Sequence, residues 1–267
     1  HRDIKEKRFS ESVFAADLGD VASGTAHPDY NDPYTFARNT FFTAGITNLL
    51  QQVSRKLSKG EGPAVIEIQT PFGGGKTHAL ISIYHYIKNN EKISKLLPRD
   101  LKPMSASIAV IVGTHLNPVE GRKVDGLTLN TLWGELAYQL RGKEGYKEFE
   151  ENDKQRIAPG KEKLKQFLLD KQPFILLFDE ILEYIAKALD AKSLKGNLGG
   201  QTYAFLQELT ETVASIDRGM LIVSLPSSVL EDYTGEKEQG LARLSKIFGR
   251  IETIQTPVKG DEIYSII

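Results

Sequence analysis

Apolar residues recur along this chain in two alternating patterns. Short apolar runs occupy 107–112, 173–178 and 220–225, interrupted ones 65–70 and 251–255, and between them lie stretches where apolar residues return every three or four positions. Runs of the first kind predict strands, the continuous one at 107–112 covered on both faces as in a parallel sheet, and stretches of the second kind predict amphipathic helices. Phe41, Phe42, Ile46, Leu49, Leu50, Val53 and Leu57 give one long helix over 36–57, closed by the turn at 59–63. Ala79, Leu80, Ile83, Tyr84 and Ile87 give a helix ending near Asn89-Asn90, and further helices are expected over 129–140, 161–169, 181–189, 202–215 and 240–248. Segments 24–33, 121–126 and 192–201 read as loops, and 142–165, rich in both charge signs, reads as a solvated connection leading into a helix.

Strands alternating with helices specify a three-layer α/β/α sandwich around a mainly parallel five-stranded sheet, with its site at the carboxyl ends of the strands. Residues 1–63 are expected to form an N-terminal extension and helix packing on the core, and residues 64–267 the nucleotide-binding core itself.

The nucleotide expectation comes from the junction after the first strand. Thr70-Pro71-Phe72-Gly73-Gly74-Gly75-Lys76-Thr77-His78 is a glycine-rich turn that runs straight into a helix. Such a loop lets successive backbone N–H groups converge on a phosphate, and the helix start adds unpaired donors and a positive dipole end. Lys76 would reach the β- and γ-phosphates, and the Thr77 hydroxyl would ligate Mg²⁺. Pro71 to His78 are therefore the candidate ATP-binding residues. Thr70 stands where the usual P-loop pattern has its first glycine, and a ligand-free turn is the plain alternative.

A second feature is the apolar run 173–178, which ends in two carboxylates, Asp179 and Glu180. Asp179 has the position of a strand-terminal Mg²⁺ holder, and Glu180 is placed to activate a water. The alternative is that the pair caps the following helix. Because 107–112 intervenes between the first strand and the Asp-Glu strand, the chain resembles the additional-strand, catalytic-glutamate branch of P-loop ATPases, whose sheet order is 5-1-4-3-2.

With these residues in place the chain resembles the AAA+ ATPases. More closely, the run Pro71 to Leu80, with Asp32-Pro33, Phe41, Pro257-Val258 and Asp261 to Tyr264, is similar to a prokaryotic family of large AAA+ ATPases of unknown function. Members of that family occur beside DNA methyltransferases and helicases in defence-type loci. The resemblance implies a polar first sensor at the fourth strand, for which Ser224, Ser227 and Ser228 are candidates, with Ser227 preferred because it lies beyond the apolar run. It also implies an arginine acting on a neighbouring subunit's γ-phosphate, either Arg250 or Arg243; a plain Pro-Ser-Ser turn and ordinary surface arginines are the alternatives. A helical lid normally follows the fifth strand, and the chain, which runs from His1 to Ile267, is expected to be a fragment without it.

Composition narrows the partners. A net charge of −1 carries no global basic field, so any DNA contact would have to be local. The absence of cysteine excludes disulfides and cysteine-ligated metals and suits a cytoplasmic setting. No apolar stretch approaches the roughly 18 residues of a membrane span. The expectation is a Mg²⁺-dependent ATPase core that assembles as a homo-oligomer and works with DNA or DNA-modifying partner proteins. A nucleotide-gated scaffold with little turnover is the alternative. A small-molecule kinase is a third reading, but it lacks a recognisable acceptor pocket and arginine-rich lid.

Overall fold

The computed structural model describes residues 16–70, 75–191, 197–226, 235–249, 252–255 and 257. In chain order these form α1 (Leu18–Ser23), α2 (Pro28–Asn31), α3 (Pro33–Asn39), α4 (Ala44–Lys59), β1 (Val65–Thr70), α5 (Lys76–Ile93) and β2 (Ser107–Val112) with a 3-10 turn at Gly113–His115. There follow β3 (Arg122–Val124), β4 (Leu127–Leu129), α6 (Leu132–Gln155), α7 (Lys161–Leu169), β5 (Phe174–Asp179) and α8 (Ile181–Asp190). Last come α9 (Leu198–Ala214), β6 (Gly219–Pro226), α10 (Gly235–Phe248) and β7 (Glu252–Gln255).

The main sheet runs β2-β5-β6-β1-β7, and each neighbouring pair is parallel. Side chains alternate across a strand, so each apolar run feeds two cores. Phe174, Leu176 and Phe178 of β5 pack with α6 to α10, whereas Ile175 and Leu177 pack with α1, α3, α4 and α5. Every residue of β5 is buried, which is why its sequence is continuously apolar up to Asp179. Among the described residues no helix is long and apolar enough to cross a membrane.

Several local expectations are corrected. The single helix over 36–57 is two helices, because Thr43 begins a new one: its hydroxyl accepts the Ile46 N–H at 3.1 Å, while Thr40 donates to the Phe36 carbonyl at 2.7 Å. Segment 24–33 contains α2, with Pro28 at its first position. The loop at 121–126 is the β3-β4 hairpin, whose Asp125-Gly126 turn has two left-handed residues, φ 50° and 80°. The helix expected over 129–140 starts at Leu132 and continues to Gln155, through non-helical Arg141 and Gly142. The segment 142–165 therefore is not a solvated connection. Its Asp153 is fully buried and accepts from Asn130 N at 3.1 Å, Asn130 Nδ2 at 2.9 Å, Thr131 Oγ1 at 2.5 Å and Tyr146 OH at 3.0 Å. Helix α9 begins at Leu198, inside the expected 192–201 loop, where Asn197 caps it. Helix α5 passes Asn89, at φ −133°, and ends at Ile93 rather than at Asn90.

Strand β2 lies at the sheet margin, where unpaired backbone groups invite pairing with another chain. Gln139 of α6 closes the middle of that edge with both ends of its amide. Its Oε1 accepts from Val110 N at 2.7 Å and its Nε2 donates to Val110 O at 2.7 Å. Gln139→Ala is expected to lower unfolding stability by about 1–3 kcal/mol, the cost of leaving part-buried backbone groups unpaired. Urea titration gives the first quantity and amide hydrogen exchange checks the cause. Unchanged protection at Val110 would show that the amide does not close the edge.

Candidate functional site

Register and alternation bring the polar residues of two strands to one corner. Phe178 pairs with Val223, so Asp179 and Ser224 are the next residues along β5 and β6. Asp179 shares a face with Ile175 and Leu177, Ser224 with Met220 and Ile222, and that face is covered by α5. Thr77, in the first turn of α5, completes the corner. Its hydroxyl donates to Asp179 Oδ2 at 3.1 Å, and the Ser224 hydroxyl donates to Asp179 Oδ1. The Glu180 N–H in turn donates to Ser224 Oγ at 3.4 Å.

Asp179 is only 3% exposed. Burial pushes its carboxyl above the usual range, the Ser224 and Thr77 hydroxyls hold it back, and the neighbouring Glu180 charge adds to the upward shift. Burial likewise lowers the Lys76 ammonium, opposed by the charges of Asp179 and Glu180. Helix α5 starts from Gly75 in the left-handed region, φ 79° and ψ 19°, and no side chain caps it. A buried carboxylate beside a hydroxyl is an oxygen donor set suited to a hard divalent cation, and uncapped helix amides beside a lysine suit phosphate. The residues present therefore fit Mg²⁺ and a nucleotide.

Glu180 adopts φ 50° and ψ 33°, which turns the chain from β5 into α8. Thr114, just past β2, donates from Oγ1 to Glu180 Oε2 at 2.7 Å, and Lys187 Nζ donates to the Thr114 carbonyl at 3.1 Å. A Cβ on Gly113 would overlap the Glu180 carbonyl, so only glycine lets the two strand ends approach this closely. Since β2 lies on the opposite side of β5 from β6 and β1, this bond draws the Glu180 carboxylate away from the end of β1.

The His78 ring faces the N-terminal segment. Thr40 already donates to the Phe36 carbonyl, so His78 Nε2, 3.1 Å from Thr40 Oγ1, is assigned as the donor in that contact. Phe36 lies with its ring centroid 4.7 Å from that of His78 and 5.1 Å from that of His85. His85 Nε2 donates to the Tyr30 carbonyl at 2.7 Å, and its Nδ1 accepts from Asn89 Nδ2 at 3.2 Å. Both rings are thus held neutral, and burial pushes His78 down to about 4. Arg243 is exposed on α10 with its guanidinium 4.1 Å from the Tyr203 ring centroid, a contact with α9 rather than with the Asp179 corner. Pro71, Phe72, Gly73, Gly74, Ser227, Ser228 and Arg250 lie outside the described residues.

Residues 1–256 match the DUF499 N-terminal domain. The chain belongs to the DUF499 family. No curated protein matches it. Among solved structures it is similar to domain III of the Thermotoga maritima replication initiation protein DnaA, at 16% identity and a TM-score of 0.41, covering 90% of this chain and 72% of that one.

Two contributors to this DUF499 site carried no signal of their own in the sequence. Thr114 reaches Glu180 across 66 residues, and His115 reaches Asp17 across 98. Ser224 was legible as a candidate, and the parity it shares with Ile222 marks it as inward-facing toward α5.

The histidines predict a pH response. The native His78 pKa lies below the ordinary 6.5, so its contribution is full above that pH and is lost as pH falls through about 4. Hydrogen exchange corrected for intrinsic rates should show segment 33–43 losing protection between pH 7 and pH 4.5. His78→Phe, which keeps a ring against Phe36 but cannot titrate, should flatten that loss. Equal acid lability in the variant would assign the response to other groups.

Proposed function

We propose that this domain binds ATP with Mg²⁺ and hydrolyses it, as the motor or switch core of a larger AAA+ protein. The observation that carries the reading is the junction of Thr77, Asp179 and Ser224 at the carboxyl ends of parallel strands, with Lys76 and Glu180 beside it. Lys76 and the amides opening α5 bind phosphate. Thr77 and Asp179 hold the metal, which when bound neutralises charge developing on the phosphoryl oxygens. Ser224 fixes the Asp179 carboxylate and, through the Glu180 N–H, the backbone from which Glu180 projects. Glu180 accepts the proton of the attacking water, for which its carboxylate must leave Thr114. Arg243 or Arg250 and Ser227 keep the roles that the family resemblance implies, and the loop residues 71–74 keep the phosphate-cradling role of a glycine-rich loop. Homo-oligomer assembly and work on DNA or alongside DNA-modifying partners in defence-type loci belong to the same reading, and the absence of cysteine suits a cytoplasmic setting.

Thr114 favours a second reading, because a glutamate held at rest also suits a scaffold that binds ATP as an assembly signal and turns over rarely. Oligomeric mass with and without a slowly hydrolysed ATP analogue, measured beside turnover, separates the two.

Glu180→Gln in the full-length protein is expected to cut ATP turnover by about 10²-fold to 10⁴-fold, the usual worth of a positioned base, while leaving nucleotide affinity intact. Turnover at the wild-type rate would refute the role of Glu180. Thr114→Val should act in the opposite sense. Hydrogen bonds to charged groups contribute about 1.5–3 kcal/mol, so releasing Glu180 should raise turnover roughly tenfold to a hundredfold at unchanged ATP affinity. A drop in turnover would mean that Thr114 holds Glu180 in its working position.

A further inference from the structure

The turn that holds Glu180 is itself gripped by the N-terminal helix. His115 directly follows Thr114 in the 3-10 turn, and its Nε2 donates to Asp17 Oδ2 at 2.8 Å. Asp17 is the N-cap of α1, and its other oxygen, Oδ1, accepts the Asp20 N–H at 2.9 Å. On its other side the His115 ring lies over Gly19, where a Cβ would fall 2.6 Å from Nδ1. The ring is therefore held between a carboxylate and a backbone position where an added Cβ would displace it. From it a continuous series of close contacts leads inward: Thr114 Oγ1 to the Glu180 carboxylate, Lys187 Nζ to the Thr114 carbonyl, and Gly113 against the Glu180 carbonyl.

We infer that His115, held by Asp17 and Gly19 of α1, is a positioning residue that sets how firmly Thr114 retains Glu180. This rests on the ATPase reading above. The chemical reason is that a hydroxyl donor fixes a carboxylate only as well as its own backbone is fixed. Thr114 sits on a three-residue turn. That turn is anchored at Gly113 by packing, at the Thr114 carbonyl by Lys187, and at His115 by α1. Loosening α1 therefore frees the base without touching the residues that hold phosphate or metal. The N-terminal segment acquires a route to the rate of hydrolysis that bypasses ATP affinity.

The test uses full-length protein and four single variants, three of them also combined with the fourth, Thr114→Val. His115→Ala removes the clamp, and His115→Gln keeps a donor for Asp17. Asp17→Ser keeps an oxygen for the Asp20 N–H but loses the partner of His115. Thr114→Val removes the bond through which all of these act. His115→Ala and Asp17→Ser are expected to raise turnover by roughly threefold to tenfold, in the lower part of the range of couplings within one contact network, while His115→Gln stays near wild type. ATP-analogue affinity should not change, and none of these substitutions should alter turnover once Thr114 is valine.

Unchanged turnover in His115→Ala, or an equal change in the Thr114→Val background, overturns the inference. Unfolding midpoints identify a variant that has merely lost its fold, in which case Asp17→Ser and His115→Gln decide. Hydrogen exchange at the Thr114 amide reads the clamp without ATP and should rise in His115→Ala. If the wild-type protein turns over no ATP at all, the ATPase reading fails, whereas normal turnover with protected exchange in His115→Ala sinks the clamp alone.

Discussion

A buried carboxylate at the end of a central strand governs the arrangement of this domain. Asp179 is taken from water by two packed layers, and the protein answers it with hydroxyls from Thr77 and Ser224 and with the Lys76 charge nearby. Hydroxyl donors reduce the cost of burying a charge without removing it. Such a group is best tolerated where its surroundings are rigid. The parallel sheet supplies the rigidity, since β5 is flanked by β2 and β6 and covered on both faces. It also supplies the convergence, because parallel strands all end at the same edge.

Most of that sheet was legible because burial on both faces leaves a direct trace in sequence. The runs at 107–112 and 173–178 are apolar without interruption for the physical reason that each alternate residue meets a different helix layer. Thr77 and Asp179 were legible because their chemistry needs particular residue types at a strand-to-helix junction and at a strand end. The failures share a cause too. Asp153 reads as solvated charge in a segment dense with charges, yet four donor groups drawn from Asn130, Thr131 and Tyr146 make it the fully buried tie between α6 and the hairpin. Thr43 reads as an interior helix position, yet its hydroxyl starts a new helix. In each case a side-chain oxygen chose a partner that periodicity does not register.

The N-terminal segment shows the same limit from the other side. Its apolar residues Leu18, Val21 and Phe36 share one core with α4 and α5, and its polar links to α5 include His78 and His85. A histidine at the first turn of the glycine-loop helix reads most simply as another phosphate ligand. Its ring instead stacks near Phe36 and contacts Thr40, which makes the helix that carries Lys76 and Thr77 the seat for the chain preceding β1. The candidate phosphate and metal residues Lys76 and Thr77 and the docking residue His78 thus occupy successive positions of one helical turn.

Two neighbouring departures from local backbone preference argue that the Glu180 side chain is there for its chemistry. Glu180 sits at φ 50°, in a region where a non-glycine residue typically costs about 1 kcal/mol. Glycine would suit that backbone better. Gly113, against which it packs, has an ordinary φ, and it is glycine only because a Cβ would strike the Glu180 carbonyl. A fold optimised for stability alone would place glycine at both positions, because the carbonyl that a Cβ on residue 113 would strike belongs to the backbone and remains whatever side chain stands at 180. Glutamate at 180 instead preserves a carboxylate at the tip of β5 with its partner strand pressed against its own peptide, and the Thr114 hydroxyl is the group which that close approach brings within reach.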